Sequence, residues 1–134
     1  MQAQTKPPAG VRILAGVLFL FGLFAFTGSL FLWGEGFLLA FPPGVDYRYP
    51  VTDMLVNAPA CLVSAFGLWN GRRYGYVAAQ FTAGFFAYAS VEIFVMVFQE
   101  LPPYSLEILF PQVLAVITAA FLVFYLWRQK NTFR

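Results

Sequence analysis

The chain has 134 residues, of which 60% are hydrophobic, 20% aromatic and only 10% charged, with a formal charge of +2. An average soluble domain carries roughly 25% charged residues, so a water-soluble fold of this size is excluded and lipid must be part of the solvent. The small charge argues against a nucleic-acid partner, and the lack of histidine with a single cysteine, Cys61, excludes an internal disulfide, His-ligated haem or zinc, and Cys-pair quinone chemistry.

Residues 1–10 are polar, with Lys6, Pro7 and Pro8, and read as a disordered lead-in. From residue 11 to 33 the only charge is Arg12, at the start. At about 1.5 Å per residue this run crosses a bilayer. It exceeds the usual core of a signal peptide and no A-x-A-like site follows, so it is expected to stay as a helix. Residues 34–50, with Pro42, Pro43, Gly44 and Pro50, read as a loop whose Phe37 to Phe41 stretch suits the interface. A second helix is expected over 51–69, a tight turn over 70–75, a third helix over 76–99 and a fourth over 108–127. Residues 128–134 form a basic tail.

The fold class that follows is all-α, an integral membrane bundle of four transmembrane helices spanning 11–127. Lys6, Arg12, Arg72, Arg73, Arg128, Lys130 and Arg134 fall on one side of this thread, and only Arg48 on the other. Glu35, Asp46, Glu100 and Glu107 share the side of Arg48. The positive-inside rule then makes both termini cytoplasmic. Tyr47, Tyr49 and Tyr104 suit the outer interface, and Trp69, Tyr74, Tyr76 and Trp127 the inner one.

Polar residues inside the spans carry the functional information, because a charge there costs about 2.5 kcal/mol or more. On helix two, Asp53, Asn57, Ala60, Ser64 and Gly67 share one face, while Leu55, Leu62, Phe66 and Trp69 lie opposite and suit lipid. Helix three carries Glu92 with Tyr88 one turn before it and Gln99 two turns beyond. Helix four contributes Gln112, and helix one Thr27 and Ser29. Asp53, Asn57, Glu92, Gln112, Thr27 and Ser29 sit in the outer half of the bilayer, which predicts a polar pocket there, with Asp53, Asn57, Tyr88, Glu92 and Gln112 as candidate ligand-binding residues. The bland alternative is that these groups only bond one helix to the next, at about 0.6 kcal/mol per contact. Small-residue stripes predict close packing: Ala15, Gly22, Ala25 and Ser29; Ala79, Ala83, Ala87 and Ser90; Ala115 and Ala119. Pro59 is expected to kink helix two and free the carbonyl of Leu55. Cys61 reads as a small buried apolar residue.

An acid at Asp53, an amide four residues on at Asn57 and a proline two beyond that resemble the EXPERA family of emopamil-binding-like membrane proteins. The resemblance implies a four-helix bundle that holds sterol-like amines in its outer part, with Asp53 and Glu92 as ligand carboxylates supported by Asn57. The family's sterol isomerases also use a histidine, which this chain lacks. The stretch from Gly67 to Gly75 also resembles that of many small bacterial membrane proteins, and this resemblance implies a bacterial cytoplasmic membrane over the endoplasmic reticulum.

Two functions compete. A hydrophobic amine, lipid or quinone would occupy the outer-half pocket, or the chain would be a non-catalytic accessory subunit packed against other membrane subunits. A proton-coupled transporter or membrane enzyme is a third class, for which four short helices leave little room. No phosphate, metal or nucleophile motif is present, so no catalytic residue, metal site or cofactor is expected, and membrane lipids are the surroundings common to every reading.

Overall fold

The structure, a computed structural model, describes residues 6–34, 51–99 and 109–133. The loop readings over 35–50 and 100–108, with Arg48, Glu35, Asp46, Glu100, Glu107 and the three outer tyrosines, lie outside the described residues. Every regular element described is helical: α1 is Ala9–Gly34, α2 is Asp53–Trp69, α3 is Arg73–Phe98 and α4 is Leu109–Arg128. Helices are what an apolar solvent demands, because each backbone N–H and C=O must find its partner within its own segment. Helices α1, α3 and α4 are each long and apolar enough to cross a membrane, and α2 is a shorter apolar helix. The chain is therefore a multi-pass membrane protein by length and composition.

The sequence places α1 two residues late, since Ala9 and Gly10 already belong to the helix and the Arg12 N–H reaches back to the Pro8 carbonyl at 3.2 Å. It also starts α3 three residues late. The turn between α2 and α3 explains the second difference. Gly71 adopts φ 65°, the Arg72 N–H bonds the Gly67 carbonyl at 2.8 Å, and the Gly71 N–H bonds the Leu68 carbonyl at 3.1 Å. This pair of bonds is the Schellman motif, which lets glycine end a helix without steric cost. The chain needs only Asn70 to Arg72 to reverse, and α3 begins at Arg73.

Consecutive helices pack as neighbours, and the basic ends of all four meet. Arg12 of α1 lies over the Trp69 ring of α2 at 4.7 Å, and the Tyr125 ring of α4 lies against Gly10 of α1. Gly67 of α2 and Gly75 of α3 are in backbone contact, so close that a Cβ on either would overlap its partner. The tail is not free. After a short 3-10 turn, Lys130–Thr132, Phe133 folds back, is buried and stacks on Tyr76 at 5.4 Å.

The buried core lies nearer this basic end. It is built from Val11, Leu14 and Leu18 of α1, Cys61, Ala65 and Leu68 of α2, Ala79 and Ala83 of α3, and Leu122 and Leu126 of α4. The helix-one stripe of Ala15, Gly22, Ala25 and Ser29 is buried throughout. On α3 the stripe differs from expectation in one member. Ala87 is exposed and Phe86 is buried, because the buried line runs Ala79, Ala83, Phe86, Ser90, Ile93, Val97, alternating steps of four and three as 3.6 residues per turn requires. On α2, Leu62 was expected to face lipid with Leu55, Phe66 and Trp69. Those three are exposed, but Leu62 is half-buried and packs over Gly22 of α1. Large side chains such as Phe31, Phe98 and Phe124 point outward, leaving apolar surface that only lipid or another protein could cover.

The glycines separate into two kinds, and this is testable. Replacing Gly67 or Gly75 with leucine forces α2 and α3 apart and costs about 1–3 kcal/mol or more, as overpacking does. Gly84, where a Cβ meets nothing, should tolerate alanine with a gain of about 0.5–1 kcal/mol. Unfolding in mild detergent followed by circular dichroism ranks the three, and equal effects at Gly67 and Gly84 would refute the contact.

Candidate functional site

The site begins with Pro59. Proline has no N–H to give to the Leu55 carbonyl, and its ring crowds that turn. Helix α2 accommodates it by widening: Asp53–Asn57 forms a π turn in which the Ala58 N–H bonds the Asp53 carbonyl five residues back. The helix widens locally where the kink is expected, a form that recurs at functional sites. It leaves Asp53 and Asn57 half-buried and bonded side chain to side chain, with the Asn57 amide Nδ2 donating to Asp53 Oδ1 at 2.9 Å. The Cys61 thiol donates to Asn57 Oδ1 at 3.3 Å. With its oxygen and nitrogen each committed, the Asn57 amide is fixed in orientation and holds the carboxylate in place. Cys61 is fully buried.

Beside this ladder, towards the end of the helices away from the arginines, lies a cavity of about 290 Å³. All four helices wall it. Phe21, Phe24 and Ala25 come from α1, Asp53 and Asn57 from α2, Phe85, Phe86, Ala89 and Ile93 from α3, and Pro111, Gln112 and Ala115 from α4. Its walls are mostly apolar and include four phenylalanines, with Phe21 and Phe86 in tilted contact at 5.1 Å. Polar groups enter from two sides: the Asp53–Asn57 pair on one helix and Gln112 on another.

Three of the five candidate ligand-binding residues, Asp53, Asn57 and Gln112, therefore share one cavity. Tyr88 does not join them, being 68% exposed on the outer surface of α3. Glu92 is half-buried and is not one of the cavity's walls. The reason is rotational. Tyr88 and Glu92 do share a face, as expected, but α3 turns Ala89 and Ile93 into the cavity, about 100° round from that face. Thr27 is exposed and bonds its own helix at the Leu23 carbonyl, at 2.8 Å. Gln99 is exposed at the end of α3.

Several other polar residues serve packing. Ser64 and Thr82 hydroxyls meet at 3.1 Å across α2 and α3, each also bonded to a carbonyl one turn back, Ala60 at 2.6 Å and Ala78 at 2.9 Å. Gln80 of α3 donates its amide to the Leu122 carbonyl of α4 at 2.8 Å. Ser90 makes longer contacts to Gln112, at 3.3 Å to Oε1 and 3.4 Å to the carbonyl. Gln112 thus has both roles weighed for it, lining the cavity and joining two helices. Gln80 and Thr82 were not singled out in the sequence, although each lies within one residue of the Ala79–Ala83 seam, which is the signal that would have found them.

No family model, curated protein or solved structure matches this chain.

The Ser64–Thr82 contact gives a direct check on the helix-joining role. A double-mutant cycle with Ser64→Ala and Thr82→Val, read by unfolding in detergent, should return a coupling of about 0.6 kcal/mol. Additive single effects would show that the two hydroxyls satisfy only their own helices.

Proposed function

We propose that this chain is a four-span membrane protein with both termini in the cytoplasm, and that its outer-half cavity binds one compact hydrophobic molecule, for which an amphiphilic amine has the most suitable chemistry. The observation that carries this reading is a carboxylate, Asp53, held by Asn57 at the wall of an otherwise apolar, four-helix cavity.

The orientation rests on charge. Lys6, Arg12, Arg72, Arg73, Arg128 and Lys130 belong to one end of the helices, and the positive-inside rule assigns that end to the cytoplasm. The reading of α2 as the fourth span rests on its length and position. Its 17 residues extend about 26 Å, close to the thickness of a bilayer core, and its partners α1 and α3 are themselves long enough to cross. A bacterial cytoplasmic membrane is the setting proposed.

The ligand class follows from the walls. A volume of about 290 Å³ lies at the small end for ligand sites, which favours a short alkyl or single-ring body over a whole phospholipid. Phe21, Phe24, Phe85 and Phe86 supply contact area, and their ring faces attract a cation as well as an alkyl chain. Asp53 supplies the opposite charge, and Gln112 a second polar contact. The Asp53, Asn57 and Pro59 spacing that resembles the EXPERA family agrees with an acid serving this cavity.

Binding of N,N-dimethyloctylamine to the purified protein, compared with the neutral octanol, tests the reading. Asp53→Asn should weaken the amine at least about tenfold while leaving octanol nearly unchanged. Ala89→Phe, which fills the cavity from α3, should remove both. Amine affinity that survives Asp53→Asn intact would sink the carboxylate's role.

A further inference from the structure

A second concavity lies on the lipid-facing surface, away from the cavity just described. It is a groove of about 620 Å³ between α1 and α2, running towards the basic end. Ala15, Gly16 and Ala65 make its floor, and Phe19, Phe66 and Trp69 its sides. From Leu62 to Trp69 it spans about 10 Å along the axis, the length of several methylene groups. A Cβ built on Gly16 meets no atom within 4 Å, so the floor is open where a side chain would otherwise fill it.

The two ends of the groove differ in chemistry. The end nearer the middle of the helices is apolar. At the basic end Arg12 is exposed and stacks over Trp69, itself a wall of the groove, at 4.7 Å. Tyr74 closes that end, directly after the exposed pair Arg72 and Arg73. No acidic side chain occurs in residues 1–34 or 54–91, and the acids of the whole chain fall within 35–53 and 92–107. These arginines therefore have no carboxylate side chain on their own helices at that end to neutralise them.

We propose that this groove is a binding site for one anionic phospholipid of the cytoplasmic leaflet. One acyl chain lies over Gly16 between Phe19 and Phe66, and the phosphate sits at Arg12 and the Arg72–Arg73 pair. An apolar channel of chain width that ends in exposed arginines matches an anionic lipid at both of its ends. Among the described residues, a second copy of this chain offers no acid at this depth to meet those arginines. The orientation proposed above names the leaflet, while the site itself is independent of the Asp53 cavity.

Trp69 provides the readout. In a Trp33→Phe, Trp127→Phe background, the protein is placed in phosphatidylcholine vesicles containing a small share of either dibrominated phosphatidylglycerol or dibrominated phosphatidylcholine. Quenching of Trp69 by the anionic lipid should reach its midpoint at a several-fold lower share than by the neutral one. Arg12→Gln should remove most of that preference, since one basic residue near an anionic surface is worth about fivefold. Gly16→Phe or Val63→Phe, which fill the groove from α1 and α2 respectively, should abolish the preference while leaving helical content unchanged. Equal quenching by the two lipids overturns the proposal, as does a preference that survives both groove-filling variants. Trp69 shielded from both lipids would place a protein in the groove and also overturn it.

Discussion

At the reversal between α2 and α3, Gly67 and Gly75 touch through their backbones with no space for a single extra carbon. In lipid there is no general hydrophobic force drawing helices together, so close approach of small residues has to supply the attraction through packing. This contact clamps the two central helices at their basic end. Arg12 on Trp69 and Tyr125 against Gly10 join the outer pair at the same end. The leucines and alanines of the core fill that part of the interior. Further along, where the interior is not filled, the cavity lies between the same four helices.

That arrangement divides the polar residues by task. Ser64, Thr82 and Gln80 bond one helix to another within the packed region. Among the described residues, no buried side-chain nitrogen or oxygen is left without a partner. Such satisfaction is expected in a medium that offers no water to an orphaned group. Asp53 stands apart because its side chain bonds an amide of its own helix at the wall of the cavity. The π turn forced by Pro59 contributes to this, since the widened turn carries both Asp53 and Asn57. A proline that weakens the helix therefore sits where the proposed binding chemistry is concentrated.

Much of the fold was legible in the sequence because lipid imposes two simple rules. Apolar runs must be long enough to cross, and small residues must line the seams. These gave α1, α3 and α4 to within about three residues, and the buried stripe from Ala15 to Ser29. The site was less legible. Asp53, Asn57 and Gln112, polar at one depth, line one cavity. Depth does not fix rotation, however, and Tyr88 with Glu92 shows the consequence. Their shared face was read correctly, but nothing in α3 alone says which face meets the cavity. Leu62 and Phe86 show the same gap, since each is large yet inward or half-inward, packed against glycine or a facing ring. The pairing of helices, and not the periodicity of any one of them, decides such positions.

The central claim is that a hydrophobic molecule enters between the four helices and meets Asp53. Photolabelling with an alkyl amine carrying a diazirine near its nitrogen, followed by peptide mapping, tests it most directly. The account predicts modification at Phe21 to Ala25 and at Phe85 to Ala89, competed by unlabelled amine and lost in Ala89→Phe. Labelling confined to outward residues such as Phe98 and Phe124, with no competition, would contradict it.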